Sequence, residues 1–517
     1  MPGGNLNERS VARVLVSGAF WNNFSSVAGL AISAGLTPYY IHGFGLPRWG
    51  LLALATSISA FLGPLGGGVG GATVRYFALY AGTDDRTKTT QTFVTAITIV
   101  VVLGIFISAV AWILAPLVLL LFHVPGYLRS EGTFLLRTMG ILIVVGLLHA
   151  IVSAVIGARQ RYAYANIVST VSYLANALGM VICVHLHAGL RGVALVLVGQ
   201  QLAAFLMTCP VALQYLSRDG IGLLPWAEQR ELIRYSSSVQ LMGVIGLVNG
   251  EVGALLVGAV FNLRYLAFYN VGTSLAEQIR GLTYNVNGPI GTHLTLTYAR
   301  DGVARSDVEF ERTQRIWVVF TTCLSTVAIG ASYFAVIAWL GHGFRIGAEV
   351  ATVAMVGDLV NLWTGVLTQY LAALGRPDLE ARFAMVAMTV NVIGTAAMIA
   401  LGPVGVASGA AVADVIASFY LIRMVHRRFR TDIRNFFLDV PWIPGILALV
   451  VTGGVEYLVR SWAPSGPLGL LYSGLPAVLG VVAFAAGFTG RRLRKVQAAY
   501  RLRPRNLTAL VNSAFFG

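Results

Sequence analysis

The chain is a succession of long apolar stretches separated by short polar gaps. Residues 92–122, "TFVTAITIVVVLGIFISAVAWILAPLVLLLF", set the pattern, with no charge over a run longer than the ~20 apolar residues that cross a bilayer. Inside lipid only α-helices and closed barrels satisfy their own backbone. Barrel strands would alternate over ~10-residue segments, whereas these runs are unbroken. The pattern therefore predicts helices at roughly 11–37, 48–74, 91–122, 133–157, 165–187 and 192–216. Six more follow at 232–260, 264–298, 316–340, 350–374, 380–401 and 404–425, and two at 441–460 and 467–489. The expectation is an all-α polytopic membrane protein of about 14 transmembrane helices.

The polar gaps carry charge in alternation. Of 36 Lys and Arg residues, 28 fall at the N-terminus, in the even-numbered gaps and in the tail. The odd-numbered gaps hold 6: Arg48, Arg129, Arg191, Arg264, Arg345 and Arg460. Arg137 and Arg280 lie near or inside the membrane. Cytoplasmic loops retain Lys and Arg, so both termini are expected in the cytoplasm of a bacterial cytoplasmic membrane. The same placement explains the net charge of +15 without a nucleic-acid partner. Composition agrees: 56% hydrophobic, 11% charged, mean hydropathy +0.75, where soluble domains carry about a quarter charged residues. Cys183, Cys209 and Cys323 fall in predicted spans and form no disulfide framework or metal spacing. "MPGGNLNERS" lacks the features of a cleaved leader, so the first stretch is expected to remain a helix.

The chain also repeats. "FGLPRWGLLALATS" at 44–57 aligns with "FNLRYLAFYNVGTS" at 261–274, pairing Phe44, Leu46, Thr56 and Ser57 with Phe261, Leu263, Thr273 and Ser274 at an offset of 217. "GARQRYAYAN" at 157–166 pairs with "GRPDLEARFA" at 375–384 at an offset of 218. Both matches join equivalent places in the topology, which favours duplication of a six-helix unit as a parallel repeat. The expected organisation is a lobe over 1–217, a pseudo-symmetric lobe over 218–430, two extra helices over 431–489, and a basic cytoplasmic tail over 490–517. The tail mixes Arg with Leu, Val, Tyr and Phe, which suits membrane lipid headgroups or a simple topogenic cluster.

The run 44–80, "FGLPRWGLLALATSISAFLGPLGGGVGGATVRYFALY", the turn "LAALGRPDLEARFAMVAMTVNVIG" and the following "LGPVGVASGAAVADV" resemble bacterial polysaccharide transporters of the O-antigen flippase type. These belong to the multidrug/oligosaccharidyl-lipid/polysaccharide exporter superfamily. The resemblance spans roughly 10–430. It implies two six-helix lobes around a central cavity, alternating access, and transfer of an undecaprenyl-pyrophosphate-linked oligosaccharide to the outer leaflet. The polysaccharide assembly machinery is a further partner it suggests. Relatives often carry an acidic residue before the "LLVG" phrase of the seventh helix; here Gly253 stands there and Glu251 two residues earlier.

Candidate site residues follow from the cost of burying charge in a membrane. Glu251 and Asp358 have no cation on their own helix and are candidates for ion coupling in a hydrated cavity. Glu277 and Arg280 are spaced to pair on one helix face, so a structural pair competes with a cavity lining; Arg137 and Asp414 share that ambiguity. Glu456 is a further buried acid of the same kind. Pyrophosphate favours the planar fork of Arg, which singles out Arg280 and Arg75, the latter also readable as topogenic. Asn22, Asn23, Asn285 and Asn287 could bond sugar hydroxyls or simply neighbouring helices. Tyr39, Tyr40 and Trp49 could stack on sugars but also fit an interfacial belt. "GGGVGG" at 66–71 lacks the βαβ context of a dinucleotide site; its small residues suit close helix packing. No catalytic set, cofactor motif or metal motif is present in the sequence. The leading expectation is a flippase. A cation-coupled multidrug antiporter of the same fold is the alternative, and a membrane glycan ligase or polymerase, which would need a large outer loop, is less favoured.

Overall fold

A computed structural model describes residues 35–62, 85–159, 161–217, 220–428, 433–460 and 466–488, with isolated positions between 29 and 80 and at 462. The Gly-rich run at 66–71, Arg75, Asn22, Asn23 and the basic tail lie outside the described residues. Among the described residues the protein is helical, without strands. Nine helices there are long and apolar enough to cross a membrane. The protein is an all-α multi-pass membrane protein.

Contacts divide the chain into two units. The first holds 24–274 and 381–413. It contains α1 (Leu46–Leu62), α2 (Arg86–Leu121), α3 (Gly126–Ala158), α4 (Tyr162–His185), α5 (Gly189–Leu213) and α6 (Trp226–Val260). The start of α7 (Leu263–Leu340), most of α10 (Pro377–Ala397) and the start of α11 (Gly402–Arg428) complete it. Its core joins Val100 and Ile107 of α2 to Ile143, Leu147 and Ile151 of α3. Arg48 donates from Nε and Nη2 to the two carboxylate oxygens of Glu131, at 3.0 and 2.9 Å. Glu131 also accepts the Leu190 N–H at 3.2 Å, and so ties α1 and α3 to the first turn of α5. Small residues bring backbones together as membrane packing favours: a Cβ on Gly409 of α11 would stand 2.4 Å from the Gly394 carbonyl of α10.

The second unit holds 275–380 and the chain from 414 onward. It contains the rest of α7, then α8 (Arg345–Trp363), α9 (Gly365–Ala373), the end of α11, α12 (Ile433–Asp439), α13 (Trp442–Val459), α14 (Pro467–Tyr472) and α15 (Gly474–Phe488). Gly330 of α7 and Gly480 of α15 both press on Thr452 of α13. Trp363 meets Trp442 edge to face at 5.5 Å, and Phe310 stacks on Tyr370 at 4.2 Å.

Most predicted helices lie where the hydrophobic pattern puts them. Three differences are informative. The expected gap at 299–315 is shorter than predicted: two helices, written together as α7, meet at a kink at Gly302 (φ 77°), and the second begins directly after it. A helix can extend beyond the lipid when its polar side chains support one another. Glu309 does this there, with Arg305, Arg312 and His293 at 3.5, 3.8 and 3.9 Å. The predicted helix 350–374 starts earlier and is interrupted between Trp363 and Gly365. The last span is likewise split at Ser473.

Candidate functional site

Within the second unit, Arg280 and Tyr284 of α7 lie one turn apart, and Asn287 follows at the next, a spacing that puts all three on one helical face. Opposite them stand Asp358 and Asn361 of α8, three residues apart, and then Gly365 at the start of α9. Arg280 Nη2 donates to Asp358 Oδ1 and is ion-paired with Asp414 Oδ2 of α11 at 3.6 Å. The Asp358 and Asp414 side chains are 6% and 15% exposed, and Arg280 keeps 32%. Tyr284 Oη donates to Asn361 Oδ1 at 3.4 Å. Asn287 packs beside Gly365, where a Cβ would meet its Nδ2 at 2.9 Å.

The electrostatics of this cluster are unbalanced. Two carboxylates face one guanidinium, in a setting where unpaired charge costs at least a few kcal/mol. The Nε of Arg280 is buried without a hydrogen-bond partner among the described residues, so the guanidinium retains donor capacity. Such a centre can exchange one anionic partner for another, or take up a cation against its surplus carboxylate.

The remaining sequence candidates separate. Glu277 precedes Arg280 by one turn and is exposed; Arg280 is ion-paired with carboxylates of α8 and α11. Asp358, read in the sequence as lacking a cation on its own helix, receives one from α7. Glu251 lies on α6 in the first unit, hydrogen-bonded to Ser57 of α1. Arg137 of α3 sits over the Trp112 ring at 4.6 Å and donates to the Trp112 carbonyl at 3.3 Å, an α2–α3 contact. Asn285 lies on α7. Glu456 is buried on α13, hydrogen-bonded to Ser473. Tyr40 is buried and donates to the Ala177 carbonyl at 3.1 Å. Sequence reasoning missed Tyr284 and Asn361. Their only signal was periodic: each lies one turn beyond a charged residue that had been singled out.

A family described as polysaccharide biosynthesis protein matches residues 49–345, more than half of the chain. The chain belongs to that family. Among solved structures, this polysaccharide biosynthesis protein is similar to a lipid II flippase, MurJ, in an inward closed conformation: 14% identity, 92% of this chain, 98% of that chain, TM-score 0.69. It is also similar to a multidrug resistance MATE family transporter of the MOP superfamily in an inward-facing conformation: 13% identity, 80% and 95% coverage, TM-score 0.63. A MOP superfamily transporter from Pyrococcus furiosus matches at 13% identity, 81% and 96% coverage, and TM-score 0.60. At these identities the likeness is one of fold. No curated protein matches the sequence.

Proposed function

We propose that the protein is a flippase that carries a polyprenyl-pyrophosphate-linked oligosaccharide across the cytoplasmic membrane by alternating access. The observation that carries this reading is Arg280: a guanidinium inside the membrane, held by Asp358 and Asp414, with its Nε unpaired among the described residues, in a polysaccharide biosynthesis family. The likeness to a lipid II flippase supports a lipid-linked substrate. In this reading the pyrophosphate displaces carboxylate from Arg280, and the surplus carboxylate charge is met by a coupling cation. Asn285 would serve the sugar hydroxyls, the polyprenyl tail would stay in lipid, and Arg75 would help at the cytoplasmic mouth. The pseudo-symmetric lobes at 1–217 and 218–430 belong to the same proposal, as does a bacterial inner-membrane location with both termini inside.

The test is transfer of a fluorescent polyprenyl-pyrophosphate oligosaccharide between leaflets of proteoliposomes. Wild-type protein is expected to accelerate it. Arg280→Lys should slow it, because Lys loses the bidentate fork, and Arg280→Ala should slow it further. Normal transfer by Arg280→Ala at equal membrane levels would remove Arg280 from the site. The second reading, a cation-coupled multidrug antiporter, draws on the two carboxylates set against one Arg and on the likeness to a multidrug transporter. Proton- or sodium-driven dye efflux without lipid transfer would select it.

A further inference from the structure

The interruption between α8 and α9 leaves an unusual set of polar groups inside the second unit. At the interruption at Thr364 the Leu362 and Trp363 carbonyls accept hydrogen bonds from side chains of α7. Trp317 Nε1 donates to the Leu362 carbonyl at 2.6 Å, and Gln314 Nε2 donates to the Trp363 carbonyl at 2.8 Å. Each bond leaves something over. Gln314 is 4% exposed, and its Oε1 has no partner among the described residues. Asn287 is 3% exposed, and both its Oδ1 and its Nδ2 are unpaired there. Gly365 places Asn287 beside Trp317: a Cβ on it would press on Asn287 Nδ2 and on the Trp317 ring, both at 2.9 Å. Gln314 lies one turn from Trp317 on the same face of α7.

Leaving such groups without a partner carries the full desolvation penalty of each. Non-helical backbone at membrane depth is tolerated where it is buried in protein or lines water. We propose that the α8–α9 break is a binding site for water, held between Asn287, Gln314 and the interrupted backbone. The stoichiometry of the unpaired groups selects the guest. Two carbonyl-type oxygens need donors, and the Asn287 NH2 group needs an acceptor. A water molecule supplies both donors and the acceptor, whereas a metal cation would leave the N–H unanswered. From this water a polar line continues along the facing helices through Asn361 and Tyr284 to Asp358, Arg280 and Asp414. The site is thus a hydrated route to the charge cluster, independent of whether Arg280 grips pyrophosphate.

Hydroxyl-radical labelling of the full chain in detergent, without any substrate, tests this. Radicals made from bound water oxidise side chains that bulk solvent does not reach. Trp317 is 3% exposed and Trp339, on the same helix, 6%. Exposure alone would make Trp339 the faster of the two. A water at the break should make Trp317 several-fold faster instead. Asn287→Leu, which removes the amide, and Gly365→Ala, which fills its space, should each bring Trp317 down to the Trp339 rate. Trp317 labelled no faster than Trp339 in the wild-type protein overturns the proposal. So does a fast Trp317 that neither variant slows. The wild-type comparison stands even if a variant fails to fold, and no outcome depends on transport.

Discussion

Arg280 gathers the chemistry of the second unit because it is the one place described there where a membrane-embedded guanidinium meets two carboxylates from other helices. Its two partners are not equivalent. Asp358 is the more buried and the more intimately bonded, and Asp414 stands farther off at 3.6 Å. Removing one partner of a buried pair costs about 3–5 kcal/mol when the other charge is stranded. Asp358→Asn should therefore lower thermal stability clearly, since Arg280 then keeps only the longer contact. Asp414→Asn leaves one carboxylate for one guanidinium and should change stability little. If Asp414 carries the surplus charge for a coupling cation, the same substitution should leave residual transfer that no longer responds to an imposed ion gradient. Unfolding midpoints and gradient-driven transfer in proteoliposomes check both statements; a gradient response intact in Asp414→Asn would take that carboxylate out of coupling. Of this site, Arg280, Asp358, Asp414 and Asn287 were legible in the sequence, because ionisable or amide groups inside apolar runs stand out. Their mutual contacts were not, because residues 78 positions apart are joined by packing and not by periodicity. The spacing rule pointed to Glu277 on the same helix and gave no sign of the carboxylates of α8 and α11 that reach the guanidinium.

At the scale of elements, close approach depends on absent side chains. Gly50 of α1 lies so near the first turn of α7 that a Cβ would stand 1.9 Å from the Leu263 carbonyl. These two turns belong to the segments 44–57 and 261–274 that align in sequence, so the repeated pieces meet each other within the first unit. Backbone cannot yield as a flexible side chain does, and overpacking costs about 1–3 kcal/mol. Gly50→Ala should lower the unfolding midpoint, and Gly50→Leu should lower it more. Gly35 and Gly126 have open space around them; equal losses at Gly126→Ala would show that the close approach is not the cause. The alignment predicts a duplication, but gives no hint that the two aligned segments touch. The helix interruptions at Thr364 and Ser473 were equally hidden. Hydropathy averages over a turn or more and registers "NLWTGV" as one continuous apolar helix. The break is revealed by the carbonyls to which Trp317 and Gln314 donate.

For the molecule as a whole, charge placement carries the prediction. With 28 basic residues assigned to one face and 6 to the other, the positive-inside rule places both ends in the cytoplasm. A reporter active only in the cytoplasm should work when fused after Gly517, and one active only in the periplasm should not. The opposite result would overturn the placement of the C-terminus in the cytoplasm. The membrane class, the all-helical fold and most helix positions were determined by the sequence itself. Lipid forces the backbone to satisfy itself and the surface to be apolar, and both demands are written locally, residue by residue. What only the tertiary structure decided is where the exceptions go. The partners of Arg280, the contact at Gly50 and the unpaired amide of Asn287 arise where helices distant in sequence pack together. A buried polar group takes its meaning from the neighbours that desolvate or satisfy it, and those neighbours are chosen by the fold.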